Sequence, residues 1–423
     1  MTPSSMKIMM INSFYYPKGG DTTCLFLLSQ ALEDRGHRII PFSMKYPRNA
    51  PTPYHTLFPP PVDYDRSSPF ARMKSLRLFL SKGIWNPDAA RHLQGLLQTL
   101  KPDIAHVHHI HRHLTPSLFP VLRRAGIPIV WTLHDYELIC PTGHLFRDGH
   151  PCRACLHQDI RQALAHRCME GSFAASLLRT LEKAVHRLLK VEAMVDRFIA
   201  PSLFLLDLLR EHGVDDTRIR HIPNIIPLSA IPTPYQSEGP VVAGGRLNRL
   251  KGMDLLIDAA SAFERPVEIL GAGPEAESLE RRAREKGVRD RIRFRGWLGP
   301  NEVLRHLKRA SLVVVPSRWE ENHPYSVLEA MACARPVVAA AIGGIPEMIA
   351  DRRTGLLVEP ENIPALASAI RGLLDAPEWA RSIGRAAHQS LIGRDREGIA
   401  SHIQLYREVL LEKRRAVGAT RGG

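Results

Sequence analysis

Short apolar runs alternate with longer amphipathic ones along most of the chain. Lys7 to Ser13 is apolar enough for a buried strand, and Thr22 to Arg35 puts Leu25, Leu28 and Leu32 on one helix face. Gly36 stands where a helix C′ residue belongs, and Arg38 to Phe42 returns as a strand. A proline-rich, irregular stretch runs from Pro47 to Pro69. Asn86-Pro87 then reads as the N-cap and first position of a helix whose apolar face is Leu93, Leu96, Leu97 and Leu100. A strand at Asp103 to Val107, a helix at Pro116 to Arg124 and a strand at Ile127 to Leu133 follow. Periodicity fades from Asp135 to Gly171. It resumes as a long helix over Ser172 to Val195, a strand over Arg197 to Ala200 and an N-cap at Ser202.

Five prolines between Pro223 and Pro240 mark a linker. Beyond it, strands are predicted at Val241 to Gly244, Val267 to Leu270, Ile292 to Phe294, Leu312 to Val315 and Val337 to Ala340. The helices between them are Met253 to Phe263, Pro274 to Lys286, Asn301 to Arg309 and Ser326 to Cys333. Strands alternating with helices imply parallel sheets with right-handed crossovers, and hence an α/β chain of two doubly wound, Rossmann-like domains. In such sheets ligands bind beyond the carboxyl ends of the strands.

Length agrees with this division, because 423 residues exceed what one core accommodates. A net charge of +14 favours anionic partners such as phosphorylated substrates, nucleic acid or an anionic membrane. Phosphorylated substrates and a membrane surface are the expected ones, with no nucleic acid among the partners. The apolar run Met6 to Ile11 is too short for a signal peptide, and no stretch nears the ~18 apolar residues of a membrane span. The expected location is the cytoplasm, with peripheral contact to the inner face of the membrane. Phe70 to Trp85 and Ser172 to Lys190 interleave Leu and Phe with Lys and Arg, which suits either a membrane surface or a core-facing helix with a solvated basic face.

The chemistry-bearing positions fall at strand ends. Gly245-Arg246-Leu247, followed by Lys251-Gly252, puts two cations on a turn before a helix, suited to a diphosphate or simply a solvated basic turn. Gly271 and Gly273 lie between a strand and a helix, without the third glycine of a dinucleotide fingerprint. Glu320 and Glu321 read as an exposed acidic loop. Glu329, eight residues after Glu321, sits early on an apolar helix, where a carboxylate needs a partner such as a ribose diol or its own helix's first turn. Gly343-Gly344-Ile345-Pro346-Glu347 opens a further helix. Cys140, Cys152, Cys155 and Cys168 have the spacing C-x11-C-x2-C-x12-C, which offers a structural zinc set or four plain thiols.

From Gly244 to Val358 these elements resemble the donor-binding half of the retaining family 4 glycosyltransferases. The family's G-R-(x)n-K-G, G-x-G, E-x7-E and G-G-x-x-E elements occur in order, closed by Thr354 to Val358. The resemblance implies the GT-B fold: an acceptor-side domain at residues 1–225 with a Cys-rich insertion at 136–171, a donor domain at 226–395, and a C-terminal helix and tail at 396–423 crossing back to the first domain. It implies that Arg246 and Lys251 hold the donor diphosphate, Glu329 the ribose, and Glu321 the transferred sugar or its phosphate. Gly245, Gly271, Gly273, Tyr325, Ser326, Gly343 and Gly344 would line the same donor site. The sequence departs from the family at Asn322-His323-Pro324-Tyr325, where glycine is common and Pro324 removes a backbone donor.

In the first half, Pro17-Lys18-Gly19-Gly20 is similar to the family's glycine loop, so Gly19 and Gly20 would face the donor. Val130 to Asp135 resembles the segment whose histidine points into the cleft, here His134. His108 and His109, with Asp135, would contact the acceptor. His106, His111 and His113 complete a cluster that strand alternation splits between two faces, which argues against one metal site there. The implied reaction transfers a hexose from a UDP- or GDP-linked sugar to a glycan or lipid-linked hydroxyl with retention. His134, Glu321, Arg246 and Lys251 carry it, and the leaving phosphate takes the acceptor proton. No cofactor is expected for catalysis. A nucleotide-sugar epimerase of the same fold and a non-catalytic sugar-nucleotide-binding scaffold are the alternatives.

Overall fold

The computed structural model describes residues 5–64, 69–228 and 238–421. The first half supplies β1 (Lys7–Ile11), β2 (Arg38–Phe42), β3 (Ile104–Val107) and β4 (Ile129–Thr132), a short hairpin of β5 (Phe146–Arg147) and β6 (His150–Pro151), then β7 (Arg197–Ala200) and β8 (Ile219–His221). The second half supplies β9 (Val241–Gly244), β10 (Val267–Leu270), β11 (Ile292–Phe294), β12 (Leu312–Val315), β13 (Val337–Ala340) and β14 (Leu356–Val358). Apart from the hairpin they form two six-stranded sheets, ordered β2-β1-β3-β4-β7-β8 and β11-β10-β9-β12-β13-β14. Every adjacent pair in both sheets is parallel. Helices cover both faces, which is why strands such as Leu312–Val315 are apolar at every position. The strand order reverses beside β1 in one sheet and beside β9 in the other, so each sheet opens a crevice at its carboxyl edge there.

Most strands lie where the apolar runs predict them, and the caps at Asn86 and Ser202 form: their side chains accept from Ala89 N at 3.1 Å and Leu205 N at 3.1 Å. The helix expected over Ser172 to Val195 ends at Leu188, because Lys190 turns left-handed and a 3₁₀ turn, Val191–Met194, follows. Helices at Leu203–Glu211, Ile363–Asp375 and Pro377–Ser390 add to those predicted. Part of the proline-rich linker, 229–237, lies outside the described residues.

Phe173–Leu188 is inverted relative to an ordinary surface helix. Ser176, Arg179, Glu182, Lys183 and His186 point inward, whereas Phe173, Leu177, Leu181 and Leu188 are exposed. The buried charges are paired, as burial demands. Arg179 bridges Glu182 and Glu137, the latter at 3.2 Å, and Lys183 reaches Glu192 at 3.2 Å.

The last helix, Arg394–Arg421, crosses back to the first half as expected, beginning two residues earlier than the predicted 396. Ile399, Leu405, Tyr406 and Val409 complete an apolar cluster with Met6, Ile8, Met10 and Leu28, and the Tyr406 hydroxyl bonds His106 Nδ1 at 2.7 Å. Among the described residues no helix is long and apolar enough to cross a membrane.

Candidate active site

The second-half crevice is built from the loops after β9 and β12. Lys251 Nζ and Ser317 Oγ both donate to Glu321 Oε1, each at 2.6 Å. Glu320 and Glu321 are therefore not the exposed acidic loop that the sequence suggests: both are buried, each against a cation. Lys251 serves Glu321, and Arg153 of the Cys-rich insertion forms a two-bond pair with Glu320. Arg246, in contrast, is exposed and makes no side-chain hydrogen bond or ion pair among the described residues. Glu329, half-buried on the Tyr325–Ala332 helix, likewise has no partner, and burial alone pushes its carboxyl up to about 7. Arg246 and Glu329 thus keep their hydrogen-bonding capacity unspent.

Four of the glycines expected to line the donor site are required by backbone packing. A Cβ on Gly271 (φ +137) would lie 1.9 Å from Gly245 O, and one on Gly343 (φ +61) 2.3 Å from Glu321 O. Gly273 and Gly344 are as tightly placed, at 2.2 Å from Leu247 O and 1.9 Å from Asn322 O. These contacts press the Arg246 loop and the Glu321 loop into fixed positions, and Gly344 N donates to Glu321 O at 2.7 Å. Gly245 is different, since its Cβ would meet only the Lys251 side chain, at 3.7 Å. Tyr325 is buried, and its hydroxyl donates to Ile225 O at 3.2 Å, so it joins the halves. Ser326 beside it is half-buried.

The first-half crevice presents the loop after β1, the histidines after β3 and His134 after β4. Gly19 caps the Gly20–Glu33 helix, and a Cβ on Gly20 would stand 3.4 Å from the Tyr325 ring, so this loop reaches the second half. His108 Nδ1 and His134 Nε2 share a hydrogen bond of 2.9 Å with their rings stacked. Behind them His106 bonds Thr132 at 2.7 Å and Tyr406. Burial holds all three imidazoles neutral at physiological pH, His134 at about 4. His109 turns the other way, 3.8 Å from Asp135, whose carboxyl is raised to about 6 by burial and by Glu137. His111 and His113 lie on that side too, against Glu137 and Phe14, so the cluster divides between two faces.

Several residues at the crevice were given no role by sequence. Lys18 lies 3.1 Å over the Phe14 ring, and burial, with Arg246 and Arg112 nearby, lowers its ammonium to about 8. Its place in the glycine loop was the available signal. Asn322 donates to Leu133 O at 2.9 Å and accepts from Ser202 Oγ at 2.6 Å. Glu347 accepts from Leu203 N and Phe204 N, at 2.7 and 2.6 Å, and so caps a first-half helix from the second half. Tyr136 donates to Glu320 O at 2.6 Å. These seam contacts join residues distant in sequence, which spacing does not reveal. The four cysteines of the insertion line one pocket.

Two doubly wound sheets meeting at their crevices, with cations on one side and neutral imidazoles on the other, define a protein of the GT-B glycosyltransferase class. The chain belongs to glycosyltransferase family 4: the family pattern described as Glycosyltransferase Family 4 matches residues 18–230, and that of Glycosyl transferases group 1 matches residues 239–376. It is 33% identical over 195 residues to the D-inositol 3-phosphate glycosyltransferase of Streptomyces avermitilis, an alignment covering 42% of this chain and 41% of that protein. The match thus spans about two-fifths of that relative's length. In fold it is similar to the sucrose-phosphate synthase of Thermosynechococcus elongatus, with a TM-score of 0.70 at 20% identity, covering 96% of this chain and 100% of that one. Anabaena HepE in complex with UDP and glucose gives 0.63 at 18% identity, with 94% and 99% covered.

Proposed function

We propose that this chain transfers a hexose from a UDP- or GDP-linked sugar to a hydroxyl of a glycan or lipid-linked acceptor, with retention of configuration. One observation carries the reading: the unspent Arg246 and Glu329 flank a second-half crevice whose Lys251–Glu321 pair is already locked. A diphosphate supplies the negative charge that Arg246 lacks, within reach of Lys18 and of the Glu321-paired Lys251, and a ribose diol supplies donors for Glu329. As the bond to the leaving diphosphate breaks, Arg246 and Lys251 stabilise the growing charge. His134, neutral and tethered through Nε2, keeps Nδ1 for a sugar hydroxyl. His108, His109 and Asp135 would sit on the acceptor side. Glu321 holds Lys251 in place and borders the transferred sugar. Closure of the halves would exclude water and limit donor hydrolysis.

The acceptor side also carries a surface for a lipid-linked substrate. Leu177, Leu181 and Leu188 line the exposed face of one helix; Met73 and Leu80 protrude from the adjoining segment, joined to it where His186 bonds Ile84 O at 2.8 Å. Exposed Lys74, Arg77, Arg187 and Lys190 flank these residues, a pattern suited to an anionic membrane at the cytoplasmic face.

The test is thermal stabilisation by a panel of nucleoside diphosphates and their sugars. A ligand at one hundred times its Kd adds about 2.7 kcal/mol, so binding is readily seen. Arg246→Ala should melt with the wild type when no nucleotide is present, because Arg246 holds nothing, yet lose the shift. If no nucleotide shifts the wild type, the donor assignment is wrong. Conversion of the donor in the absence of acceptor would point instead to an epimerase.

A further inference from the structure

The insertion between β4 and the Phe173–Leu188 helix has little regular structure, only the β5–β6 hairpin and the five-residue helix Arg161–Ala165. Five of its non-glycine residues, Leu145, Asp148, Gln158, Arg167 and Glu170, take left-handed backbone conformations. Its first stretch is anchored in the first-half core by Tyr136, Leu138, Ile139, Leu145 and Leu156, but the turns that carry the cysteines share little regular hydrogen bonding, and loop-rich segments of this kind are commonly held by a covalent or metal staple. Cys140, Cys152, Cys155 and Cys168 come from separate turns, yet all four line one small pocket.

Backbone bonds fix where each cysteine sits. Cys140 O accepts from Gly143 N at 2.8 Å, Cys152 N donates to Leu145 O at 2.7 Å, Cys155 O accepts from Gln158 N at 3.1 Å, and Cys168 N donates to Ala163 O at 3.0 Å. The Cys140 sulfur contacts the Thr142 hydroxyl at 3.1 Å and lies in hydrogen-bonding contact with the backbone of Thr142 and Leu145 and with Cys155. Donors aimed at a sulfur are the outer support that metal-bound thiolates require. Tighter trios of ligand atoms occur elsewhere, such as Cys24, His108 and His134 within 4.8 Å of one another, but two of those are already bonded together. The four sulfurs stand more loosely around their pocket, and an ion would draw Cys152 and Cys168 inward.

We propose that Cys140, Cys152, Cys155 and Cys168 bind one Zn²⁺ as four thiolates, making the insertion a metal-held module. Each thiol gives up its proton to solvent on binding, and no oxidation takes place. The site has a consequence for the crevice. Arg153 lies between two of the ligands and pairs with Glu320, the neighbour of Glu321, so the ion fixes an arm that reaches the second half. The inference is independent of the donor and acceptor assigned above.

The experiment is elemental analysis of the full chain, purified without a metal-affinity tag, alongside thiol titration. About one zinc per chain is expected, and its release should coincide with the titration of four thiols, whereas the buried Cys24 and Cys333 react only on unfolding. Replacement of zinc by Co²⁺ should give sulfur-to-cobalt charge-transfer bands. Cys152→Ser and Cys155→Ser should lose the ion, whereas Cys24→Ser and Cys333→Ser keep it. If the serine variants do not fold, the wild-type stoichiometry and the cobalt spectrum still decide. Cleanly purified protein without zinc, two disulfides among the four cysteines, or an iron–sulfur chromophore would each overturn the proposal.

Discussion

At the scale of single residues, Glu329 is a carboxyl that nothing in the described chain neutralises, and burial raises it from 4.5 to about 7. Between these values the folded chain keeps a proton that the unfolded chain has released. Stability therefore falls as pH rises through this window, and above it the ionised group costs up to about 3 kcal/mol, less where water reaches it. Glu329→Gln should melt above the wild type near pH 8 and level with it near pH 5, as paired thermal melts would show. The same variant should bind nucleotide more weakly. Donor binding to the wild type should release a proton near pH 7, visible by calorimetry in buffers of differing ionisation enthalpy; proton uptake would contradict the ribose contact. Spacing left Arg246 and Lys251 open between a diphosphate site and a solvated turn, and the family resemblance singled them out with Glu329. The burial of Glu320 and Glu321 was not legible, because their partners Arg153 and Lys251 lie 167 and 70 residues away in the chain.

At the scale of elements, buried parallel strands write themselves as apolar runs, so β9, β12 and β13 could be placed to the residue, and β10 as well despite Glu268 within it. Periodicity also located the helix that begins at Phe173, but it does not say which face turns inward. That face was decided by Glu137, on a separate loop, which claims Arg179. Glycines posed the reverse problem: Gly343 was readable as a ligand-facing residue, and packing accounts for it without one. Gly343→Ala should cost about 2 kcal/mol or more, from a strained φ and a Cβ against the Glu321 carbonyl. Chemical denaturation would measure this. A neutral result would mean that the loop can move off Glu321, and that the glycine serves the ligand after all.

At the scale of the whole molecule, the two sheets and the returning helix were foreseen from alternation and family resemblance. The seam between the halves was not, since it depends on pairs such as Glu347 with the Leu203–Glu211 helix. The exposed leucines of the inverted helix suggest how the molecule is oriented in use. Wild-type protein should sediment with anionic vesicles at low salt, and the double substitution Leu177→Asp, Leu181→Asp should weaken this about tenfold or more without lowering the melting temperature. Equal sedimentation of both proteins would remove the membrane from the picture. The returning helix, finally, bears on synthesis. The core around β1 is closed by Tyr406 and Val409, which leave the ribosome hundreds of residues after Met6 and Ile8. The second half can finish folding as it emerges, whereas the first must wait with its edge uncovered for the end of translation. Chains cut short before residue 399 should therefore be recognised and degraded as unfinished, even though both sheets are encoded in full.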